Sequence, residues 1–217
     1  MSDAYRVYGT AGSGSVAVEA ALTLLKLPYT TVEAAPWGGP EDRAILEAES
    51  PLQQVPVVIL PSGEKMTESA ALLIHLGDLH PEAGLAPPPG DPRRPAYLRW
   101  MVFIPANIYA MYTLKDDPSR WLHDTAAGEE LRDRAIDHIK TCWQVMEAAV
   151  EPAPWILGER MSLLDVYVTL VSRWTPRRRW FETACPKLYQ VVRRVDELPE
   201  LADFWKQRFP FSEGWEA

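Results

Sequence analysis

The segment HPEAGLAPPPGDPRRPAY, residues 80–97, divides this chain into two halves that cannot share one architecture. Pro81, Pro87, Pro88, Pro89, Pro92 and Pro95, with Gly84 and Gly90, leave too few backbone donors and too much entropy for a helix or strand to run through it. Such a composition marks a connection between domains. Before it, strand and helix patterns alternate; after it, only helical spacing is found. The boundaries expected are therefore 1–82 for a first domain, 83–95 for a Pro-rich linker and 96–217 for an all-helical second domain.

In the first part, YRVYGT (5–10) alternates with period two and VAVEAALTLLKL (16–27) carries apolar residues at helical spacing. PYTTVEA (28–34) reads as a second strand, EDRAILEAES (41–50) as a charged helix after Gly38, Gly39 and Pro40, and SAALLIHLGDL (69–79) as an apolar helix. Between them lies VPVVIL, followed by the hairpin turn PSGEK. The order β-α-β-α-β-β-α predicts a mixed sheet flanked by helices, because parallel neighbours need a crossover and a hairpin does not. In the second part, LRWMVFIPANIYAMY, LRDRAIDHIKTCWQVMEAAV, SLLDVYVTLVSRW and PELADFWKQRF keep apolar residues three and four apart.

The net charge of −8 argues against a duplex nucleic acid or an anionic membrane as partner, since nothing offsets phosphate repulsion. Cys142 and Cys185 form neither a disulfide framework nor a metal-ligand spacing, and His75, His80, His123 and His138 add none, so no metal is expected. The beginning MSDAYRVYG lacks a basic segment followed by an apolar one, and no long apolar window occurs; a cytoplasmic protein is expected. RWTPRRRWF (173–181) concentrates arginines, which at this net charge reads as a solvated or interface surface.

Three motifs bear on chemistry. In QQVPVVILPSGEKMTESAAL (53–72), Pro56 opens an aliphatic run, where a residue without an N–H must stand at a strand's first position or edge. Glu68 and Ser69 follow just where the next helix begins; Ser69, or Thr67, could cap that helix, or its amide and hydroxyl could hold an anion. In GERMSLLDVYV (158–168), Ser162 and Asp165 have the spacing of a capping box, a structural device, and Met161 and Val166 that of a hydrophobic staple. The first strand–helix turn, TAGSGS (10–15), contains no cysteine, so thiol chemistry there must use a thiol that the ligand brings.

With these residues the chain resembles the cytosolic glutathione S-transferases over essentially its whole length, and among them the bacterial, serine-type-like members. The resemblance implies an α/β thioredoxin-like N-terminal domain plus an all-α C-terminal domain, the glutathione S-transferase fold. It implies glutathione as co-substrate, a small hydrophobic acceptor and a homodimer. The glutathione-binding residues it carries over are Gln54, Val55, Pro56, Glu68 and Ser69. A cis bond before Pro56 would cost only about 0.5–1 kcal/mol and would turn the Val55 backbone toward the ligand's cysteinyl part; a trans proline starting an edge strand is the alternative. Glu68 would take the γ-glutamyl ammonium and Ser69 its carboxylate, and Trp37 and Arg43 could approach the glycyl carboxylate.

A free thiol with a pKa near 8.5 needs a hydrogen-bond donor to ionise at neutral pH. Ser13 is the first candidate, since Ser13-Gly14-Ser15 is similar to the turn of serine-type members; Thr10, at the strand end, and Tyr8, at the spacing of the tyrosine types, are rivals. For the acceptor, WMVFIPANIYAMY (100–112) offers Phe103, Asn107 and Tyr112, with Pro105 expected to kink or break the helix. A non-catalytic glutathione-binding or adaptor protein, or a glutathione-dependent isomerase or dehalogenase, is compatible with the same scaffold.

Overall fold

A computed structural model describes residues 4–211. They divide into two compact units: one runs to Ala86 and takes back the segment from Arg194 onward, and the other is Pro87–Arg193. The first boundary thus falls inside the Pro-rich segment. The later one, inside a helix, has no counterpart in the composition.

In the first unit, β1 (Tyr5–Gly9), α1 (Ser15–Leu24), β2 (Tyr29–Glu33), α2 (Pro40–Glu49), β3 (Val57–Ile59), β4 (Lys65–Met66) and α3 (Ser69–Leu79) follow in the order expected. The strands form one sheet in the order β2-β1-β3-β4, with β1 parallel to β2 and antiparallel to β3, and β3 antiparallel to β4. This is the thioredoxin-like arrangement. α1 is apolar almost all round and is buried, with Val16, Ala17, Val18, Ala20, Ala21 and Leu22 excluded from solvent. It packs on β1, on α3 and on the turn Pro199–Leu201 of the returning C-terminal segment, which continues into α10 (Ala202–Arg208).

Local chemistry sets the ends. α1 stops three residues before the apolar pattern does, because Lys26 takes φ 56° and the amides of Lys26 and Leu27 close on Thr23 and Leu22, a Schellman ending with lysine where glycine is usual. α2 starts with Pro40 at its first position, where the missing amide costs nothing, and Asp42 accepts the Gly39 and Ala35 amides.

The second unit is helical: α4 (Arg94–Phe103), α5 (Ala110–Asp116), α6 (Thr125–Ala149), α7 (Leu163–Val171), α8 (Arg177–Ala184) and α9 (Pro186–Asp196), the last crossing the unit boundary. Pro105 neither kinks the chain out of the helix nor ends it; Ile104–Tyr109 widens into π-helical turns that join α4 to α5. A wider turn is one way to absorb a residue that has no amide to donate. α7 is buried along its whole length, and its start is closed by the expected box: Asp165 accepts from the Ser162 amide at 2.7 Å, the Ser162 hydroxyl at 2.9 Å and the Ile156 amide at 2.9 Å. Among the described residues no helix is long and apolar enough to cross a membrane.

The arginine cluster departs from expectation. Arg173 and Arg178 are buried, and Arg178 donates to Ser172 Oγ at 2.7 Å and to the Thr169 carbonyl at 3.3 Å. A guanidinium at the C-terminal end of the apolar α7 satisfies oxygens that the helix leaves without partners and sits at the negative end of its dipole.

Candidate functional site

The sheet register brings the motif residues of the first unit to one end of the sheet. The β1–β3 ladder ends at the Tyr8–Val57 pair, so Gly9 and Thr10 leave β1 at the same end of the sheet at which Val55 and Pro56 precede β3. The β3–β4 ladder ends at Val58–Met66 on the same side, where Thr67 and Glu68 lead from β4 into α3. β1 and β4 both run toward this end and lead into α1 and α3, so two helix N-termini lie there, where free amides and the macrodipole stabilise negative charge.

At this end the Val55–Pro56 bond is cis. Val55 lies outside β3, and its N–H and C=O have no partner among the described residues. Gln54 is exposed; its backbone amide donates to Ser50 Oγ at 3.1 Å, while its side-chain amide is uncommitted among the described residues. Glu68 stands at φ 66°, which L side chains rarely adopt, with an exposed carboxylate that makes no hydrogen bond or ion pair among the described residues. It provides no side-chain cap for α3. Ser69 opens α3 and is buried. Trp37 and Arg43 lie exposed on the surface.

The three hydroxyl candidates have different surroundings. Tyr8 is buried and donates to Glu49 Oε1 at 3.1 Å; Glu49 also pairs with Lys65 at 2.7 Å, and the Lys65 ammonium, with Tyr8 second to it, holds the Glu49 carboxyl below its ordinary pKa. The Tyr8 hydroxyl is thus turned to the end of α2. Thr10 is half-buried just past the end of β1, and its hydroxyl makes no hydrogen bond among the described residues.

Ser13 is 4% exposed, and its Oγ lies 3.3 Å from the Thr10 amide, 3.2 Å from the Ser15 amide and 3.0 Å from Ser15 Oγ. Ser15 Oγ in turn donates to Glu19 Oε1 at 2.7 Å.

Glu19 is wholly buried. A carboxylate there needs a counter-charge, and it comes from α10: Arg208 Nη2 donates to Oε1 at 3.1 Å and Nε lies in ionic contact 2.6 Å from Oε2, while Nη1 reaches Glu33. Burial opposes the charge on Arg208, but Glu19 and Glu33 outweigh it and raise its pKa. The Arg208 carbonyl also accepts the Gly12 amide at 2.8 Å, and Gly12 holds φ +74°. Gly9 admits no side chain, because Ser15 Oγ sits 2.1 Å from where a Cβ would lie.

Glu19 and Arg208 are not identified by the sequence pattern, and Ser15 is marked only as part of the Ser13-Gly14-Ser15 turn. A hint is present in VAVEAAL, since a charge within an all-apolar helix requires a partner, but the partner lies 189 positions away.

In the second unit, Phe103 closes α4 edge-on to Trp100, with ring centres 5.1 Å apart. Asn107, within the π-helical turns, donates its side-chain amide to the Phe103 carbonyl at 3.1 Å. Tyr112 is buried, its hydroxyl donating to the Thr175 carbonyl at 2.6 Å and its ring packed edge-on to Tyr109 and Trp174; burial first, then the Asp116 charge, raises its pKa well above the ordinary value. Cys185 is buried, and its thiol is pushed up to about 12 by burial with a further contribution from Glu147, leaving it protonated and inert.

Residues 8–84 match the family model described as "Glutathione S-transferase, N-terminal domain". The chain is 32% identical over 203 residues to the uncharacterized GST-like protein YncG of Escherichia coli, spanning 93% of this chain and 97% of that protein. It is 26% identical over 156 residues to the glutathione S-transferase GstA of Escherichia coli, 72% of this chain and 74% of that one. Among solved structures, a glutathione transferase homolog from Sulfitobacter with bound glutathione has the same fold, with a TM-score of 0.78 at 24% identity over 94% of this chain and 97% of that one. A sphingomonad glutathione S-transferase complexed with glutathione superposes with a TM-score of 0.75 at 20% identity, over 93% and 97% of the two chains.

Proposed function

Because the chain belongs to the glutathione S-transferase family, we propose that it binds glutathione at the open end of its sheet and directs the thiolate onto a small hydrophobic electrophile. The observation that carries this reading is the pair of groups at that end that are uncommitted among the described residues: the Val55 backbone, whose N–H and C=O can pair with an extended peptide, and the Glu68 carboxylate, held at a costly φ directly before a helix N-terminus. An α-amino acid end has an ammonium for Glu68 and a carboxylate for the amide and hydroxyl of Ser69. Gln54 supplies amide donors and acceptors along the same edge. The sulfur falls to the β1–α1 turn, where the α1 dipole favours its negative charge.

Phe103, Asn107 and Tyr112 are the proposed acceptor contacts, with Tyr112 contributing ring surface, since its hydroxyl is bonded to Thr175. The resemblance supports a homodimer, and Leu98 and Val102, exposed one helical turn apart on α4, are compatible with one.

Retention on immobilised glutathione, followed by conjugation to a chlorodinitrobenzene acceptor, tests the reading. Glu68→Ala should weaken glutathione binding roughly tenfold or more, the equivalent of one charge-assisted hydrogen bond of about 1.5–3 kcal/mol. Failure of the parent protein to bind glutathione would refute the proposal. Binding without turnover on any electrophile would leave a glutathione-binding protein and remove the transferase.

A further inference from the structure

We propose that Thr10, not Ser13, presents the hydroxyl to the glutathione sulfur, and that Ser13 is a positioning residue whose proton is committed inward through Ser15 to the buried Glu19–Arg208 pair. The inference rests on the proposed glutathione site and concerns which group acts within it.

A serine hydroxyl has one proton and two acceptor positions. The Thr10 and Ser15 amides both point at Ser13 Oγ, and an N–H can only donate, so both acceptor positions are filled. The remaining contact, Ser13 Oγ to Ser15 Oγ at 3.0 Å, needs one proton from one side. Ser15 cannot supply it, because its own proton goes to Glu19 Oε1 at 2.7 Å, and a carboxylate paired with Arg208 only accepts. The alternative acceptor for Ser15, the Thr10 carbonyl, is 3.5 Å away. The proton between the serines is therefore that of Ser13, and its hydroxyl is saturated.

Thr10 differs on each count: its hydroxyl is uncommitted among the described residues, the residue is partly open to solvent, and it leaves β1 at the end of the sheet where Val55 precedes β3. Donation from Thr10 Oγ1 to the sulfur stabilises the thiolate after its proton has left to solvent, and no bond to the protein forms. Ser13 acts through Thr10 by holding the Thr10 amide. Arg208 fixes the same turn twice, through its carbonyl on Gly12 and its guanidinium on Glu19.

The test titrates the bound thiol by its thiolate absorbance and records kcat against pH. Thr10→Val should cut the thiolate fraction near neutral pH roughly tenfold or more, with a deficit that shrinks as pH rises, and Thr10→Ser should restore it. Thr10→Ala serves if the valine variant does not fold. Ser13→Ala should shift the thiol in the same direction but by less, because it loosens the donor without removing it, and should add no further shift in a Thr10→Val background. Three results overturn the proposal: a shift in Ser13→Ala as large as that in Thr10→Val or adding to it in the double variant, no shift of the thiol in either Thr10 variant, or an unshifted thiol with full kcat per folded molecule in Ser13→Ala, which would make Ser13 merely structural. Loss of glutathione binding by the parent protein would instead refute the proposed function and is read separately.

Discussion

Glu68 shows how a single residue can oppose its own backbone. A non-glycine side chain at φ 66° costs on the order of 1–3 kcal/mol, and among the described residues nothing engages the carboxylate to offset it. If the conformation serves a ligand, stability and binding should respond to different features of the residue. Glu68→Gly should be more stable than Glu68→Ala by about 1 kcal/mol, the reverse of the usual order, because only glycine accepts this φ without strain. Both should lose glutathione affinity alike, since both lack the carboxylate. Chemical denaturation and binding isotherms of the two variants check this; equal stability would mean the strain is absent. Asp165 makes an opposite case. It is engaged on every side and buried, and burial, outweighing three hydrogen bonds, raises its pKa to about 6. A folded pKa above the unfolded one means that the folded state holds the proton more tightly. The contribution is therefore fully present below about pH 4 and is lost as pH rises through about 6, a swing of about 3 kcal/mol. Asp165→Asn removes the titrating group, so the stability difference between parent and variant should move against the parent across that window when urea midpoints are compared.

At the scale of elements, what the sequence makes legible is what is decided locally. The switch from period two to period 3.6 locates each strand and helix of the first eighty residues to within a few positions, and Ser162 with Asp165 announces the start of α7 within four residues of sequence. The proline-rich break is equally local. What resists reading is set by partners far along the chain. Arg173 and Arg178 look solvated in a run of charge, but they are buried, and for Arg178 the reason is the buried C-terminal end of α7, where it bonds the Thr169 carbonyl. Pro105 forbids a regular α-helical bond, yet sequence cannot tell a kink from the wider turns that form. The site divides the same way. Val55, Pro56, Glu68 and Ser69 stand out because proline, a turn and a helix start are local signals. The state of Ser13 depends on where one proton points, and that depends on Glu19 and on an arginine near the other end of the chain.

That arginine sets the argument for the molecule as a whole. The first unit is discontinuous in sequence: the segment from Arg194 packs with residues up to Ala86, the turn at Pro199–Leu201 lies on α1, and Arg208 neutralises the buried Glu19. Removing one partner of a buried ion pair typically costs 3–5 kcal/mol, because the remaining charge is left without compensation, and the apolar surface under Leu201 and Trp205 would be exposed as well. Against a typical total of about 5–15 kcal/mol, such a loss is decisive for a small domain. A fragment ending at Ala86 should therefore fail to give a cooperative thermal transition, although it contains every strand of the sheet and all three of its helices. Supplying residues 194–211 as a separate peptide should restore the transition, and the same peptide with Arg208→Met should not. Introducing Glu19→Gln into the fragment discriminates further: with the buried charge gone, the dependence on Arg208 should weaken while the dependence on Leu201 and Trp205 remains. A fragment that melts cooperatively alone, or rescue that is indifferent to Arg208, would show that the C-terminal segment is an accessory to this unit and not part of its core.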